Sequence, residues 1–180
     1  VDGKRHIALV GFMGAGKSSV ALELARRNAN DCLDLDEMIE IGTGKTVAAV
    51  FATDGERLFR ELELQALRDA LARPQTAVIA CGGGTVTNPE SYAALREQAV
   101  VVYLQIETDR ALLRIDDWSS RPMLTLAGGS DAVYQLARSR FALYETLADL
   151  SVCTDKLTIE RVAENIEAKL KEAGYARLLA

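Results

Sequence analysis

Residues 11–18 read GFMGAGKS, and this stretch limits the fold more than any other part of the chain. It fits the pattern G-x-x-x-x-G-K-[ST]. It also stands in the context that gives the pattern meaning, after an apolar strand-like run (His6–Val10) and at the start of a helical one (Lys17–Arg27). Gly11, Gly14 and Gly16 let the backbone wrap closely around phosphates, with N–H groups and a helix N-terminus turned toward the anion. Lys17 can reach β- and γ-phosphates, and Ser18 can ligate Mg²⁺. The stretch therefore implies a nucleoside triphosphate at the end of a first strand. It does not say what receives the phosphoryl group, so water, a protein and a small alcohol all stay open.

Beyond residue 27 the hydrophobic pattern keeps alternating between the strand and helix periods. Strands are predicted over 32–35, 76–81, 99–104 and 150–153. Helices are predicted over 37–41, 46–53, 56–72, 89–97, 109–115, 131–147 and 158–173, the second and third of these parted by Asp54-Gly55. The run over 99–104 is continuously apolar, as in a strand buried on both faces. Residues 116–130 are polar and irregular, and read as a mobile loop. Strand–helix alternation of this kind predicts an α/β fold: a three-layer α/β/α sandwich with a five-stranded parallel sheet and the phosphate loop after the first strand. No repeat or linker interrupts it, so residues 1–180 read as a single domain.

Composition excludes several functions. A chain of 180 residues, 49% hydrophobic, can bury a full core. A net charge of −5 argues against general nucleic-acid binding. No apolar run approaches the roughly 18 residues that suggest a membrane span. The opening VDGKRHIALV has no signal-peptide pattern, which fits a cytoplasmic protein. Cys32, Cys81 and Cys153 lie far apart in strand-like segments and read as buried reduced thiols. With one His and no ligand spacing, a zinc site is not expected.

Four further stretches carry chemistry. In CLDLDEMIE, Asp34 and Asp36 stand two apart at a predicted strand end, where period-two geometry puts both on one face. One carboxylate can orient a metal while the other takes the proton of an acceptor alcohol. Alternatively the pair is merely solvated, or Asp36 caps the next helix. In FRELE, Arg60 lies three residues before Glu63, a spacing that pairs them on a helix and holds the guanidinium for carboxylate recognition. A surface ion pair of little consequence has the same spacing. In CGGGT, three glycines at a strand end suggest close approach to a ligand, or a tight turn. In SSRPM, Arg121 precedes Pro122 on the irregular segment, where an Arg can close over a transferring group. Arg140, four residues before Tyr144, carries no signal by itself.

Taken in order, GFMGAGKS, LDLDEMIE, VFATDGERLFRELE, CGGGTVTNP, SRPML and SRFALYETLA resemble the shikimate kinase family, within the nucleoside-monophosphate-kinase-like phosphate-loop enzymes. The resemblance runs from Ile7 to about Ile166. It implies Mg²⁺-dependent transfer of the ATP γ-phosphoryl group to the 3-hydroxyl of shikimate, with direct in-line displacement. By the same resemblance, Gly14, Ala15, Gly16, Lys17, Ser18, Ser19, Arg114 and Arg121 bind ATP, with Arg114 against adenine. Ser18 binds the metal, and Asp34 holds it through water. Asp36 binds and activates the 3-hydroxyl. Arg60 and Arg140 clamp the shikimate carboxylate, Glu63 holds Arg60, and Gly82, Gly83 and Gly84 line the ring near Phe51 and Phe59. Lys17, Asp36 and Arg121 are the expected catalytic residues. The substrate-binding segment is expected at about 36–63 and the lid at about 115–130.

The lid departs from the family's common R-T-x-x-D-K-x-R-P-L-L. Here RIDDWSSRPML has Trp118 and Ser119 where Asp and Lys are usual, and Cys153 stands where Asp is frequent, so a weakened ATP affinity is expected. The expected partners are ATP and shikimate, with no nucleic acid, no membrane and a monomeric chain. A gluconate-type kinase, and a catalytically quiet module that binds nucleotide or shikimate, are the alternatives.

Overall fold

The computed structural model describes residues 3–114 and 130–179, with Ser130 described by its backbone alone. Strands β1 (His6–Val10), β2 (Asp31–Asp34), β3 (Ala77–Ala80), β4 (Ala99–Gln105) and β5 (Leu150–Cys153) form an all-parallel sheet in the order β2-β3-β1-β4-β5. Every residue of β1 and β3 is buried, as is all of β4 but its last residue. Both faces of the sheet are therefore covered, which is why these strands read as continuous apolar runs rather than alternating ones.

The connecting helices are α1 (Lys17–Arg27), α2 (Leu35–Thr43), α3 (Val47–Leu71), α4 (Pro89–Gln98), α5 (Thr108–Leu113), α6 (Ser130–Leu147) and α7 (Ile159–Glu172). Helix α1 buries Val20, Ala21, Leu24 and Ala25, the stripe visible in its sequence, against β1, β2, β3 and α7. Helix α7 buries Val162, Ala163, Ile166 and Leu170 in the same manner. Right-handed crossovers put α1 and α7 on one face and α3 and α4 on the other, completing the three layers expected from the alternation. No helix among the described residues is long and apolar enough to cross a membrane.

Two local expectations need correction, the end of the second strand and the burial of Cys153. The second strand ends at Asp34, and Leu35 already belongs to α2. Helix α2 ends at a cap on Gly44, one of the two glycines expected to stop it, whose φ of 67° favours glycine. Of the three thiols, Cys81 is buried and Cys32 half-buried, but Cys153 is exposed, because β5 is an edge strand. The expected break at Asp54-Gly55 survives as a kink within α3, with Gly55 at φ 83° and ψ 170°.

His6 is the chain's one histidine and is 1% exposed. Its Nε2 donates to the Leu71 carbonyl at 3.0 Å, and its Nδ1 accepts the Ala77 N–H at 3.3 Å. This arrangement requires a neutral ring, and burial lowers the imidazole pKa, helped by Arg5 and opposed by the Leu71 bond. The unfolded chain takes up this proton near pH 6.5, the folded chain only at lower pH. The contribution is therefore complete above that value and is lost as pH falls below it. A His6→Gln variant is expected to lose stability less steeply than the parent below about pH 6.5 in urea titrations. Parallel slopes would exclude this role.

Candidate active site

Parallel pairing brings the carboxyl ends of all five strands to one edge, the edge where open α/β sheets bind ligands. The phosphate loop follows β1, Asp34 ends β2, Gly82–Gly84 follow β3, α5 with Arg114 follows β4, and Thr154 follows β5. Between them lies a cleft of ≈ 680 Å³. Its walls are Met13, Gly14, Gly16, Lys17, Ser18 and Ser19, then Asp34, Asp36, Cys81, Gly82 and Gly83, and finally Arg114 with Leu157, Thr158, Ile159 and Glu160.

The first wall is built for an anion. Helix α1 starts from Gly16 at φ 87°, with no side-chain cap and no acidic residue in its first turn. Helices α2, α3, α4 and α7 by contrast begin with the caps Asp34, Thr46, Asn88 and Thr158. The positive end of α1 is thus left to an incoming anion. Lys17 Nζ donates to the carbonyls of Gly11 at 2.9 Å and Phe12 at 3.1 Å, which lays the ammonium across the loop. Gly14, at φ 78°, has a second reason to be glycine, since a Cβ there would overlap the Ala111 carbonyl of α5.

The aspartates reach the cleft by a different geometry from the one expected. Asp34, not Asp36, caps α2, and its Oδ1 accepts the N–H of Asp36 at 2.9 Å and of Glu37 at 3.5 Å. Asp36 lies in the first helical turn rather than two residues along a strand. The strand-to-helix switch, not the pleat, aims both at the cleft. Asp36 Oδ1 comes within 3.5 Å of where a Gly82 Cβ would stand.

The triple glycine organises the far end. Glu63 is 2% exposed, and its two oxygens are divided: Oε2 accepts from Arg60 Nη1 at 2.7 Å and Oε1 from the Thr85 hydroxyl at 2.6 Å. A Cβ on Gly82 would overlap Glu63 Oε1, and one on Gly84 would overlap the Arg60 guanidinium. Protein side chains thus already crowd two of the three glycine positions. Phe59 supports Arg60, with the guanidinium carbon 5.4 Å from the ring centre, and Phe51 lies against Phe59 at 4.5 Å. Gly83 stands between the other two parts, its Cβ position 3.5 Å from Arg140 Nη1 and 3.6 Å from the Met13 amide nitrogen.

Arg140 is 3% exposed, and its Nε has no hydrogen-bond partner among the described residues. Burial lowers its pKa, and the neighbouring Arg60 adds to the effect. A buried guanidinium with an open donor is matched to an anion. One turn further on, the Tyr144 hydroxyl donates to the Gly83 carbonyl. Its ring is fully buried against Tyr103 at 5.2 Å, and burial pushes the phenol pKa up. Across the cleft, Arg114 Nη2 donates to the Thr154 carbonyl at 3.0 Å. Arg121 and the expected lid at 115–130 lie outside the described residues, apart from Ser130.

The structure thus gathers Lys17, Ser18, Asp34, Asp36, Arg60, Arg114 and Arg140 around one edge of the sheet. Four of these are cations on a chain of net charge −5, a local field suited to two anionic ligands. Sequence reasoning did not find Thr85, the bond from Tyr144, or the wall at 157–160. A cap-type Thr158 before an amphipathic stripe was legible as a helix start, but no spacing ties it to Lys17.

Comparison with known proteins shows the family to which the chain is similar. The family model for shikimate kinase matches residues 13–171. A shikimate kinase of Dehalococcoides mccartyi is 36% identical over 169 residues, covering 94% of this chain and 95% of that protein. A shikimate kinase of Aliivibrio fischeri is 40% identical, covering 94% and 98%. Among solved structures, shikimate kinase from Acinetobacter baumannii in complex with shikimate superposes with a TM-score of 0.88 at 31% identity, covering 94% of each chain.

Proposed function

The chain belongs to the shikimate kinase family, and from that premise we propose that its cleft transfers the ATP γ-phosphoryl group to the 3-hydroxyl of shikimate. One observation supports this reading most. The turn Gly82–Gly84 touches the phosphate loop on one side and Asp36, Arg60 and Arg140 on the others. The phosphate loop, a carboxylate suited to accept a proton and two cations suited to a ligand carboxylate thus lie around one turn.

In this reading Gly14, Ala15, Gly16, Ser18 and Ser19 at the uncapped start of α1, together with Lys17, hold the ATP phosphates. Arg114 and the wall at 157–160 take the base. Arg60 and Arg140 receive the shikimate carboxylate, and Gly82, Gly83 and Gly84 lie along its ring. Asp36 accepts the hydroxyl proton as the oxygen bonds to the γ-phosphorus. The bond from that phosphorus to the β–γ bridging oxygen breaks, and its electron pair leaves with ADP. Arg121 is proposed to complete the charge neutralisation.

The donor set suits Mg²⁺. The Ser18 hydroxyl and the Asp34 carboxylate are hard oxygens on the same cleft. Among the described residues no three His, Cys, Asp or Glu cluster, so the ion would rely on phosphate oxygens and water. When bound, it neutralises charge on the β- and γ-phosphates. Asp34 spends Oδ1 on capping α2, which fits contact through water.

ADP release coupled to a reporter enzyme tests the proposal, with Mg·ATP and shikimate, shikimate omitted, or gluconate in its place. Release is expected only with shikimate. Equal release with gluconate, or none with shikimate despite ATP binding, would overturn it.

A further inference from the structure

Thr85 has no role in the chemistry above, yet it is fully buried beside it. It opens the 3-10 turn Thr85–Thr87 directly after the triple glycine, and its backbone N–H donates to the Gly82 carbonyl at 3.2 Å. Its hydroxyl donates to Glu63 Oε1 at 2.6 Å. The same carboxylate holds Arg60 through Oε2 at 2.7 Å. Thr85 therefore links the glycine turn to Arg60 through one carboxylate with both oxygens engaged.

The electrostatics show why that link matters. Arg60 and Arg140 are close enough to oppose each other's charge, and Glu63, paired with Arg60 at 2.7 Å, offsets part of it. Two guanidinium groups beside one carboxylate leave a net positive charge for a ligand carboxylate. A carboxylate has several rotamers, and the Arg60 bond alone does not choose among them. Arg60 is partly exposed and also contacts Glu56 at 3.3 Å, so a turned Glu63 would release it toward solvent. The Thr85 hydroxyl removes that freedom.

Resting on the proposed shikimate reading, we infer that Thr85 is a positioning residue for the acceptor. It orients Glu63, and through Glu63 it aims the Arg60 guanidinium at the substrate carboxylate. Its hydroxyl bonds to Glu63 rather than to Lys17, Ser18 or Asp36, so its effect is expected on the acceptor alone.

The test is steady-state kinetics on the full chain with Thr85→Val, which keeps the shape and removes the hydroxyl, and Thr85→Ser, which restores the hydroxyl. Thr85→Ala serves as a second hydroxyl-free variant should valine fail to fold. The hydroxyl-free variants are expected to raise the KM for shikimate by roughly ten- to a hundredfold, the scale of an ångström-size misplacement. The KM for ATP should stay within about twofold, and Thr85→Ser should recover the parent value. A merely structural role would move both KM values together and would follow the melting temperature. An unchanged shikimate KM, a parallel rise for ATP, or failure of serine to rescue would overturn the inference. Parent protein inactive with shikimate would instead overturn the substrate reading, so the two failures are distinguishable.

Discussion

Asp36→Asn is expected to lower kcat for shikimate-dependent ADP release by about 10²- to 10⁴-fold, the usual contribution of a positioned general base. Asparagine keeps the shape and one oxygen acceptor but cannot take the hydroxyl proton. Asp36 shares the cleft with Asp34 and Glu160, and the two aspartates do different work. Asp34 Oδ1 is committed to the amides that start α2, so Asp34→Asn should disturb the helix start as well as the site. Asp36 lies within the first turn of α2, with Oδ1 close to the glycine turn. Binding of ATP and of shikimate to Asp36→Asn, followed by calorimetry, should therefore stay close to the parent. Turnover within a few-fold of the parent, with binding intact, would show that the proton leaves by another route.

Arg140→Met is expected to separate function from stability. Arg140 is 97% buried by its exposure of 3%, its Nε is unpartnered among the described residues, and Arg60 stands nearby. Holding such a cation out of water costs free energy in the unliganded protein, and an apolar side chain of similar volume removes that cost. The melting temperature of the free variant should match or exceed that of the parent. Affinity for shikimate should fall by about 2–5 kcal/mol, the loss when one partner of a buried charge pair is removed. Lysine would be a poor substitute, because its single ammonium lacks the planar fork. A lower melting temperature together with an unchanged shikimate affinity would show that Arg140 is structural.

The contrast between these two residues shows what a sequence can carry. Asp36 stands in an apolar run where a carboxylate needs a reason, and so it drew notice. Arg140 sits among ordinary helical residues, and only the resemblance to a family marked it. Nothing local distinguishes a helix arginine facing water from one facing the sheet edge.

What the sequence determined by itself is local or periodic. The phosphate loop is one contiguous stretch whose glycines, Lys17 and following helix act within a few residues of one another. The Arg60–Glu63 pair is set by helical spacing, and the apolar runs of β1, β3 and β4 follow from a sheet covered on both faces. Tertiary structure decided whatever depends on residues far apart in the chain. The order β2-β3-β1-β4-β5 carries Gly83 to both Arg140 and the phosphate loop, and it leaves Cys153 exposed on an edge strand. It also settled that Asp34 rather than Asp36 caps α2, because the strand stops one residue earlier than its apolar pattern does. The physical reason is the same throughout. Backbone geometry and period act over a turn or two of chain, whereas burial and charge pairing depend on which elements the sheet makes neighbours.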